Sequence, residues 1–408
     1  MKFLSNKLLL LICGIVILLC LNGFLLFSFF ATRNADSEIA LQTKQSPTPG
    51  FTKLHRYDKS ENEDDYIQSQ MSVCAASNGH DNCYQQIATN LLASFPLSTS
   101  LDIIAENETS NTVYERCHEL THFLGRQTYA TSQDLPSTLV SCNSTCQGGC
   151  YHGAVEQYLK EHDHNLSGNA LKATFTSICQ SKSLTPLIFA ECEHGLGHAA
   201  MLITDSELTP SLSLCDLLPA RENKEHCYSG VFMEYSSSST ENNAANKNMH
   251  PADPLYPCDT LSSQYLPLCY QYQSSYFSII THYDAKATAD LCMKVPKEYQ
   301  KGCIQIIGGG QVGLTRDVSV MSRNCTQMPT ADLRQTCNQG VVSSLATRYV
   351  GQINKLASYC AIVTKDDQQR CFGAIGRAVT LWSNKNTNKN YCEELTGKDK
   401  KWCLSPNN

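Results

Sequence analysis

Three stretches of the chain carry pairs of potential metal ligands, and within each pair the two residues are four positions apart. The pairs are His118 and His122, His152 and Glu156, and His194 and His198. Residues four apart lie on the same face of a helix, so the two side chains of a pair point in one direction. Imidazole and carboxylate groups ligate transition metals. The spacing predicts three ligand pairs that form one shared metal site. Six candidates exceed the need of one tetrahedral ion, so either two metals bind there or some of the histidines support the ligands without binding metal.

Residues 118–122 read His-Glu-Leu-Thr-His, which is similar to the zincin metallopeptidase signature. Carried over by position, that resemblance implies His118 and His122 as zinc ligands and Glu119 as the general base that activates water. Thr128 stands where a metzincin has its third histidine, so the third ligand would come from a neighbouring repeat, such as His152 or His194. A zincin-like peptidase is therefore the lesser alternative, and a zincin-like ligand pair on another scaffold stays open.

Ten cysteines recur every 32 to 42 residues and indicate a repeated structural unit. We call them the repeat cysteines. They are Cys83, Cys117, Cys150, Cys192, Cys227, Cys269, Cys303, Cys337, Cys371 and Cys403. An interval near 34 residues is the length of a two-helix repeat unit. The three ligand pairs follow consecutive repeat cysteines. Most other copies have Gln, Ser or Gly at the position of the first ligand, so the histidines are additions to the repeat.

Eight repeat cysteines have a second cysteine 9 to 13 residues upstream. These pairs are Cys74/Cys83, Cys179/Cys192, Cys215/Cys227, Cys258/Cys269, Cys292/Cys303, Cys325/Cys337, Cys360/Cys371 and Cys392/Cys403. The spacing is too long for zinc knuckles and predicts disulfides that join consecutive helices. Thr330, Thr364 and Thr396 lie between such partners and are predicted N-caps. The remaining four cysteines, at 117, 142, 146 and 150, allow three pairings or a thiolate ligand, and the sequence does not choose.

The stretches Cys150-Tyr-His-Gly, Cys227-Tyr-Ser-Gly and Cys337-Asn-Gln-Gly resemble the disulfide-bonded Sel1-like and tetratricopeptide-like helical repeat proteins. The resemblance implies an all-α fold, a disulfide-stapled α-solenoid of two-helix repeats, over about residues 66–408. The glycine three residues after the cysteine is predicted to let neighbouring helices approach closely.

The N-terminal segment predicts attachment to a membrane. An uncharged apolar run follows Lys2 and Lys7 and is long enough to span a bilayer as a helix. The predicted organisation is a cytoplasmic tail (1–7), a transmembrane signal-anchor (8–31), a flexible stalk (32–66) and an extracytoplasmic helical repeat domain (67–408). If the N-terminal segment is cleaved instead, the protein is secreted.

Composition narrows the functional classes. The chain has 408 residues, 22 cysteines and a formal net charge of −6. Such cysteine content is typical of an oxidising compartment. The chain has no basic stripe, which argues against a nucleic-acid partner.

Together these features predict a membrane-anchored extracytoplasmic metalloprotein with a histidine-rich site within residues 117–198. Zn, Fe or Cu suits such ligands, and a non-covalent haem is a further alternative because no Cys-x-x-Cys-His motif occurs. Glu119 and Glu193 are the candidates for proton transfer in a metal-dependent hydrolase or oxidoreductase. The alternatives are a haem or metal carrier, or a solenoid that binds a protein partner and has a structural metal site.

Overall fold

The computed structural model describes residues 53–76, 80–162, 169–241, 249–250, 252–382 and 390–405. All of them belong to the unit Phe51–Asn408. Within these ranges the chain forms eighteen α-helices and several short 3₁₀-helices, with no β-strand. The predicted all-α class is therefore confirmed.

The predicted transmembrane segment and most of the predicted stalk lie outside the described residues. Within the described ranges, no helix combines the length and the apolar character needed to cross a membrane. The first helix begins at Glu63, before the domain boundary predicted at residue 67.

The helices are of two kinds, which alternate along most of the described chain. In order they are α1 (Glu63–Ala75), α2 (His80–Ser94), α3 (Leu97–Glu106), α4 (Asn111–Ser132), α5 (Leu135–Ser141), α6 (Gly149–His162), α7 (Asn169–Ser177), α8 (Pro186–Ile203), α9 (Leu208–Cys215), α10 (Arg221–Glu241), α11 (Leu266–Ile280), α12 (Ala285–Cys292), α13 (Gln300–Leu314), α14 (Val318–Thr326), α15 (Ala331–Arg348), α16 (Ile353–Ile362), α17 (Lys365–Ala378) and α18 (Gly397–Leu404). Each of the ten repeat helices, α2, α4, α6, α8, α10, α11, α13, α15, α17 and α18, contains one repeat cysteine. Most of the others are shorter helices that connect them.

The repeat helices pack side by side in chain order, each against the next. Their buried faces form one continuous apolar core, in which all ten repeat cysteines are buried. This order places α4, α6 and α8, the helices with the three ligand pairs, directly beside one another.

Disulfides join nine of the ten repeat helices to a segment that precedes the helix. All eight predicted pairs are present. The four cysteines that the sequence leaves open pair as Cys117–Cys146 and Cys142–Cys150. Cys117 is the one repeat cysteine in the described residues whose partner lies downstream of it, so the repeat pattern changes at the first ligand pair.

The predicted N-caps are at the predicted positions, but only one of the three caps with its side chain. The Thr330 hydroxyl accepts a hydrogen bond from the backbone N–H of Leu333. Thr364 and Thr396 are the residues before α17 and α18 but make no capping bond. The Thr364 hydroxyl donates to the carboxylate of Asp367 instead.

Two glycines bring the ligand-bearing helices into close contact, as the sequence predicts. A Cβ atom at Gly153 of α6 would lie 1.9 Å from the carbonyl oxygen of His122 in α4, and one at Gly230 of α10 would lie 2.0 Å from that of His194 in α8. No side chain fits at such distances. Gly153 therefore sets the distance between α4 and α6, and Gly230 sets the distance between α8 and α10.

We expect Gly153→Ala to lower the free energy of unfolding by about 1–3 kcal/mol, because α4 and α6 must move apart to accept the new methyl group. Gly310→Ala in α13 is the matched control, since a Cβ atom there meets nothing within 4 Å. Alanine at that helical position is expected to stabilise by about 0.5–1 kcal/mol. Denaturant unfolding of both variants measures the difference, and equal effects would contradict the close-approach role.

Late repeats also contact early ones. The Tyr114 hydroxyl donates to the carbonyl of Val312, and Gln147 Nε2 donates to Ser344 Oγ at 2.9 Å. The guanidinium of Arg348 lies 3.1 Å from the carboxylate of Glu108. The row of repeat helices thus turns back, so that α13 and α15 pack near α4 and the segment before α6.

Candidate metal centre

The five histidines of the three predicted pairs lie close together. The ring centroid of His152 lies 5.5 Å from His118, 5.3 Å from His122, 4.9 Å from His194 and 5.0 Å from His198. The five imidazoles therefore form one cluster, with His152 of α6 between the pair on α4 and the pair on α8.

In the pair on α4, both imidazoles direct a lone pair at each other. The Nδ1 of His118 is 2.7 Å from the carbonyl oxygen of Cys146, which can only accept, so this nitrogen carries the hydrogen. The Nδ1 of His122 likewise donates to the carboxylate of Glu156, at 3.2 Å. In the neutral rings the two Nε2 atoms then hold lone pairs, and they are 3.1 Å apart.

The pair on α8 repeats this arrangement. The Nδ1 of His198 donates to the carboxylate of Glu234 at 2.9 Å. The Nδ1 of His194 is 2.7 Å from Ser229 Oγ. Since that hydroxyl donates its own hydrogen to the carbonyl of His226, it accepts from His194. The two Nε2 atoms again hold lone pairs and are 3.1 Å apart.

Facing lone pairs at this distance repel each other unless a cation lies between them. Metal–nitrogen bonds of about 2.0–2.1 Å and bond angles between 90° and 109° place two ligand nitrogens roughly 2.9–3.4 Å apart. The observed 3.1 Å falls in that range for both pairs. The histidine pairs therefore have the geometry of ligands that share an ion.

The nitrogen atoms divide into two groups of three that share His152. The first group is His118, His122 and His152, and the second is His152, His194 and His198; within each, the ligand atoms all lie within 4.8 Å of one another. A single ion bound to all five would hold every nitrogen within about 4.2 Å of the others, twice the metal–nitrogen distance. Two groups that meet at one histidine instead suit two ions side by side.

His152 would bind an ion of each group at once only as an imidazolate, with Nδ1 on one ion and Nε2 on the other, because a neutral ring has one lone pair. His152 is 2 % exposed, and its Nε2 is 3.1 Å from the carboxylate of Glu191. Its Nδ1 is buried and has no hydrogen-bond partner among the described residues. A buried polar atom without a partner is costly in a folded protein, and a metal ion would satisfy it.

The surroundings keep three of the imidazoles, those of His118, His152 and His194, in the neutral form that binds metals. Burial, with the neighbouring His122, lowers the pKa of His118 to about 3. Burial and the adjacent imidazoles also hold the pKa of His152 and of His194 well below the ordinary value. At physiological pH these rings therefore offer lone pairs.

The predicted ligand Glu156 lies outside both groups. Burial raises its pKa, but the Arg126 guanidinium, 2.6 Å away, and His122 outweigh that effect and hold the pKa well below its usual range. The carboxylate is therefore charged and accepts the Nδ1 hydrogen of His122. A carboxylate in this position orients a metal-binding histidine and raises its basicity.

The two predicted proton-transfer residues have different surroundings. Glu119 lines a cavity of about 350 Å³ together with His118, His122 and His198, so it faces the side from which the cluster is reached. Glu193 is buried and accepts hydrogen bonds from Asn223 at 2.6 Å and His226 at 2.9 Å. Glu193 does not line this cavity, and its carboxylate supports α10 instead.

Several residues of the site have no signal in the sequence. Glu191, Ser229 and Glu234 each hydrogen-bond a clustered histidine. Glu191 and Glu234 lie at positions that no other copy marks, and Ser229 stands in its own copy where His152 and His194 stand in theirs. Burial raises the pKa of Glu191 to about 7. Only the packing of α8 and α10 identifies these partners.

The thiolate alternative does not fit the structure. Glu108, Cys117 and Cys146 lie close enough together to form a third potential ligand group. However, both sulfurs belong to the Cys117–Cys146 disulfide and are not thiolates.

His162, the last residue of α6, lies apart from the cluster. His162 is exposed, stacks on Tyr158 and hydrogen-bonds its carbonyl oxygen. His164 lies outside the described residues.

Comparisons with known proteins do not add to this geometry. No protein-family model, curated protein or solved structure matches the chain.

We expect Glu156→Gln to weaken metal binding at the first group by roughly 10–100-fold, the cost of losing a partner that orients a ligand histidine. Asp367→Asn is the matched control, because Asp367 is also a buried carboxylate held by an arginine, Arg334, at 2.6 Å. Titration with Co²⁺, followed by visible absorption, measures both. Equal affinities of the two variants would contradict the orienting role of Glu156.

Proposed function

We propose that this protein is a membrane-anchored, extracytoplasmic oxidoreductase with a dinuclear copper centre shared by three helical repeats. The observation that carries the proposal is the pair of three-histidine groups, each with two Nε2 lone pairs 3.1 Å apart, that meet at His152.

The donor set supports copper. Both groups consist of imidazoles, without a carboxylate, which disfavours Mg, Ca and Mn. Among divalent first-row ions, copper binds nitrogen ligands most tightly. Met201 and Met233 line the same cavity, and thioethers suit the reduced ion. A haem fits less well, because two axial histidines stand on opposite sides of the iron, whereas each pair here converges from one helix.

The cavity supports access of a small substrate to both groups. It opens on His118 and His122 of the first group and on His198 of the second. Bound copper would supply electron transfer to a substrate held there. Arg126 and Glu156 fix the orientation of His122, and Glu119 offers a carboxylate to exchange a proton with the substrate.

A second candidate is a zinc hydrolase. It is favoured by Glu119, which lies in the cavity beside His118 and His122 as a zincin-like general base would. Zinc in the purified protein, together with loss of hydrolysis in Glu119→Gln, would establish this alternative.

The proposal also includes a solenoid architecture and an extracytoplasmic location at the membrane. Side-by-side repeat helices, each stapled by a disulfide, support a curved α-solenoid of the Sel1-like or tetratricopeptide-like kind. The ten disulfides support an oxidising, extracytoplasmic compartment. We propose that residues 8–31 anchor the protein in the membrane and that the helical surface has room for a protein partner.

Metal analysis of the purified full chain tests the function. We expect two copper ions per chain, and an absorption spectrum and a paramagnetic signal that change on reduction. Folded protein without metal after incubation with copper and zinc would leave an interaction scaffold as the better interpretation. Release of the full chain by a salt wash, without detergent, would contradict the anchor.

A further inference from the structure

The segment from Cys146 to Gly149, just before and at the start of α6, has an unusual backbone. Cys146, Gln147 and Gly148 have φ angles of +55°, +61° and +79°. Left-handed conformations cost about 1–2 kcal/mol at each residue other than glycine. Two such residues in succession persist only where the surrounding structure imposes them.

This segment lies beside His118 and His122 and beside the residue that hydrogen-bonds His152, so it contacts the environment of all three ligands of the first group. The Cys146 carbonyl accepts the hydrogen bond that fixes the tautomer of His118. A Cβ atom at Gly149 would lie 2.9 Å from the ring of His122. One at Gly148 would lie 3.0 Å from the carboxylate of Glu191, the partner of His152.

Helix α15, which has no metal ligand, holds the segment from the other side. Gln147 Nε2 donates to Ser344 Oγ at 2.9 Å. The buried Arg348 lies 3.7 Å above the ring of Tyr114 and 3.7 Å from Cys117 Sγ, the disulfide partner of Cys146. The late repeats thus contact the early site across almost 200 positions of sequence.

The outer histidines of the second group are held differently. Their partners, Ser229 and Glu234, both lie within the regular helix α10. The outer histidines of the two groups are therefore held by different parts of the protein, and a change in α15 acts most directly on those of the first group.

We infer that α15 is a positioning element for the first three-histidine group, acting through Gln147 and the Cys146 carbonyl. This inference rests on the proposed metal centre. The contact between Ser344 and Gln147 holds the left-handed turn, the turn orients His118, and His118 sets the affinity of the first group for its ion. The late repeats thereby set the metal affinity at one of the two adjacent positions.

Ser344→Ala, Gln147→Ala and the double variant test the inference by Co²⁺ titration of the full chain. The His118→Ala variant identifies which spectral phase belongs to the first group. We expect each single variant to weaken that phase roughly 10–100-fold and to leave the other phase unchanged. The double variant should lose no more than the single ones, since both remove the same contact. Ser344→Thr keeps the hydroxyl and should restore the affinity.

Arg348→Met and Arg334→Met form a matched pair, because both arginines form ion pairs with carboxylates and both lie on α15. We expect both to lower thermal stability, but only Arg348→Met to weaken the first phase. Equal weakening of both phases in the Ser344 and Gln147 variants, or no weakening, would overturn the inference. Absence of metal binding in the unmodified protein would instead overturn the proposed function.

Discussion

The substitution His152→Ala is expected to remove high-affinity binding of both metal ions, whereas His118→Ala and His194→Ala should each remove one. His152 is the residue common to the two groups, so its loss leaves two ligands at each position. The affinity of each position should fall by more than the roughly 10–100-fold that follows the loss of a hydrogen-bond partner of a ligand. Metal analysis after gel filtration would show the stoichiometry falling from two to zero.

The His152 substitution needs controls because the side chain is buried. His152→Gln fills more of the space and keeps the fold, but its amide is a poor replacement for imidazole. His162→Ala removes an exposed histidine that stacks on Tyr158, outside the cluster, and should keep both ions. Retention of one ion by His152→Ala would contradict a shared ligand and would show that one of the two positions does not need His152.

Removal of metal is expected to have the largest effect on stability. An ion that binds only the folded protein adds about 4 kcal/mol when its free concentration is a thousand times its Kd. Chelation therefore removes that contribution for each ion and leaves the facing nitrogens of both pairs in repulsion. We expect a clearly lower unfolding midpoint after chelation, with the ten disulfides intact.

The His152→Ala variant is an internal control for the unfolding midpoint of the metal-free protein. That variant should have a lowered midpoint already and should not respond to chelation. A wild-type midpoint that is unchanged by chelation would show that the ions contribute nothing to the folded state. Restoration by copper but not by magnesium would support the imidazole donor set as the cause.

The local features of this fold could be predicted because they depend on neighbours in sequence. Helical periodicity and the cysteine interval predict two-helix repeats, and the eight local disulfides follow from spacing alone. The four-residue spacing places His118 beside His122, and His194 beside His198, on single helices. These predictions needed no knowledge of how the helices pack.

The pairing of Cys117 with Cys146 was not predictable, because three pairings fit the spacing equally well. The role of Glu156 also depended on packing. Its position in the repeat suggests a ligand, but the offset between α4 and α6 places it against His122 Nδ1 and Arg126. That offset is set where Gly153 meets the backbone of α4, a contact between residues distant in sequence.

The sequence by itself determined the helical repeats, eight of their disulfides and the pairs His118/His122 and His194/His198, since each arises from spacing within one repeat. Only the tertiary structure decided that His152 joins two groups, and that Glu191 and Glu234 orient the histidines. It also decided that α15 reaches back to the first group. These features depend on how far each helix is shifted and rotated against the next. The buried glycines and the contacts between early and late repeats set those shifts, and no local pattern contains them.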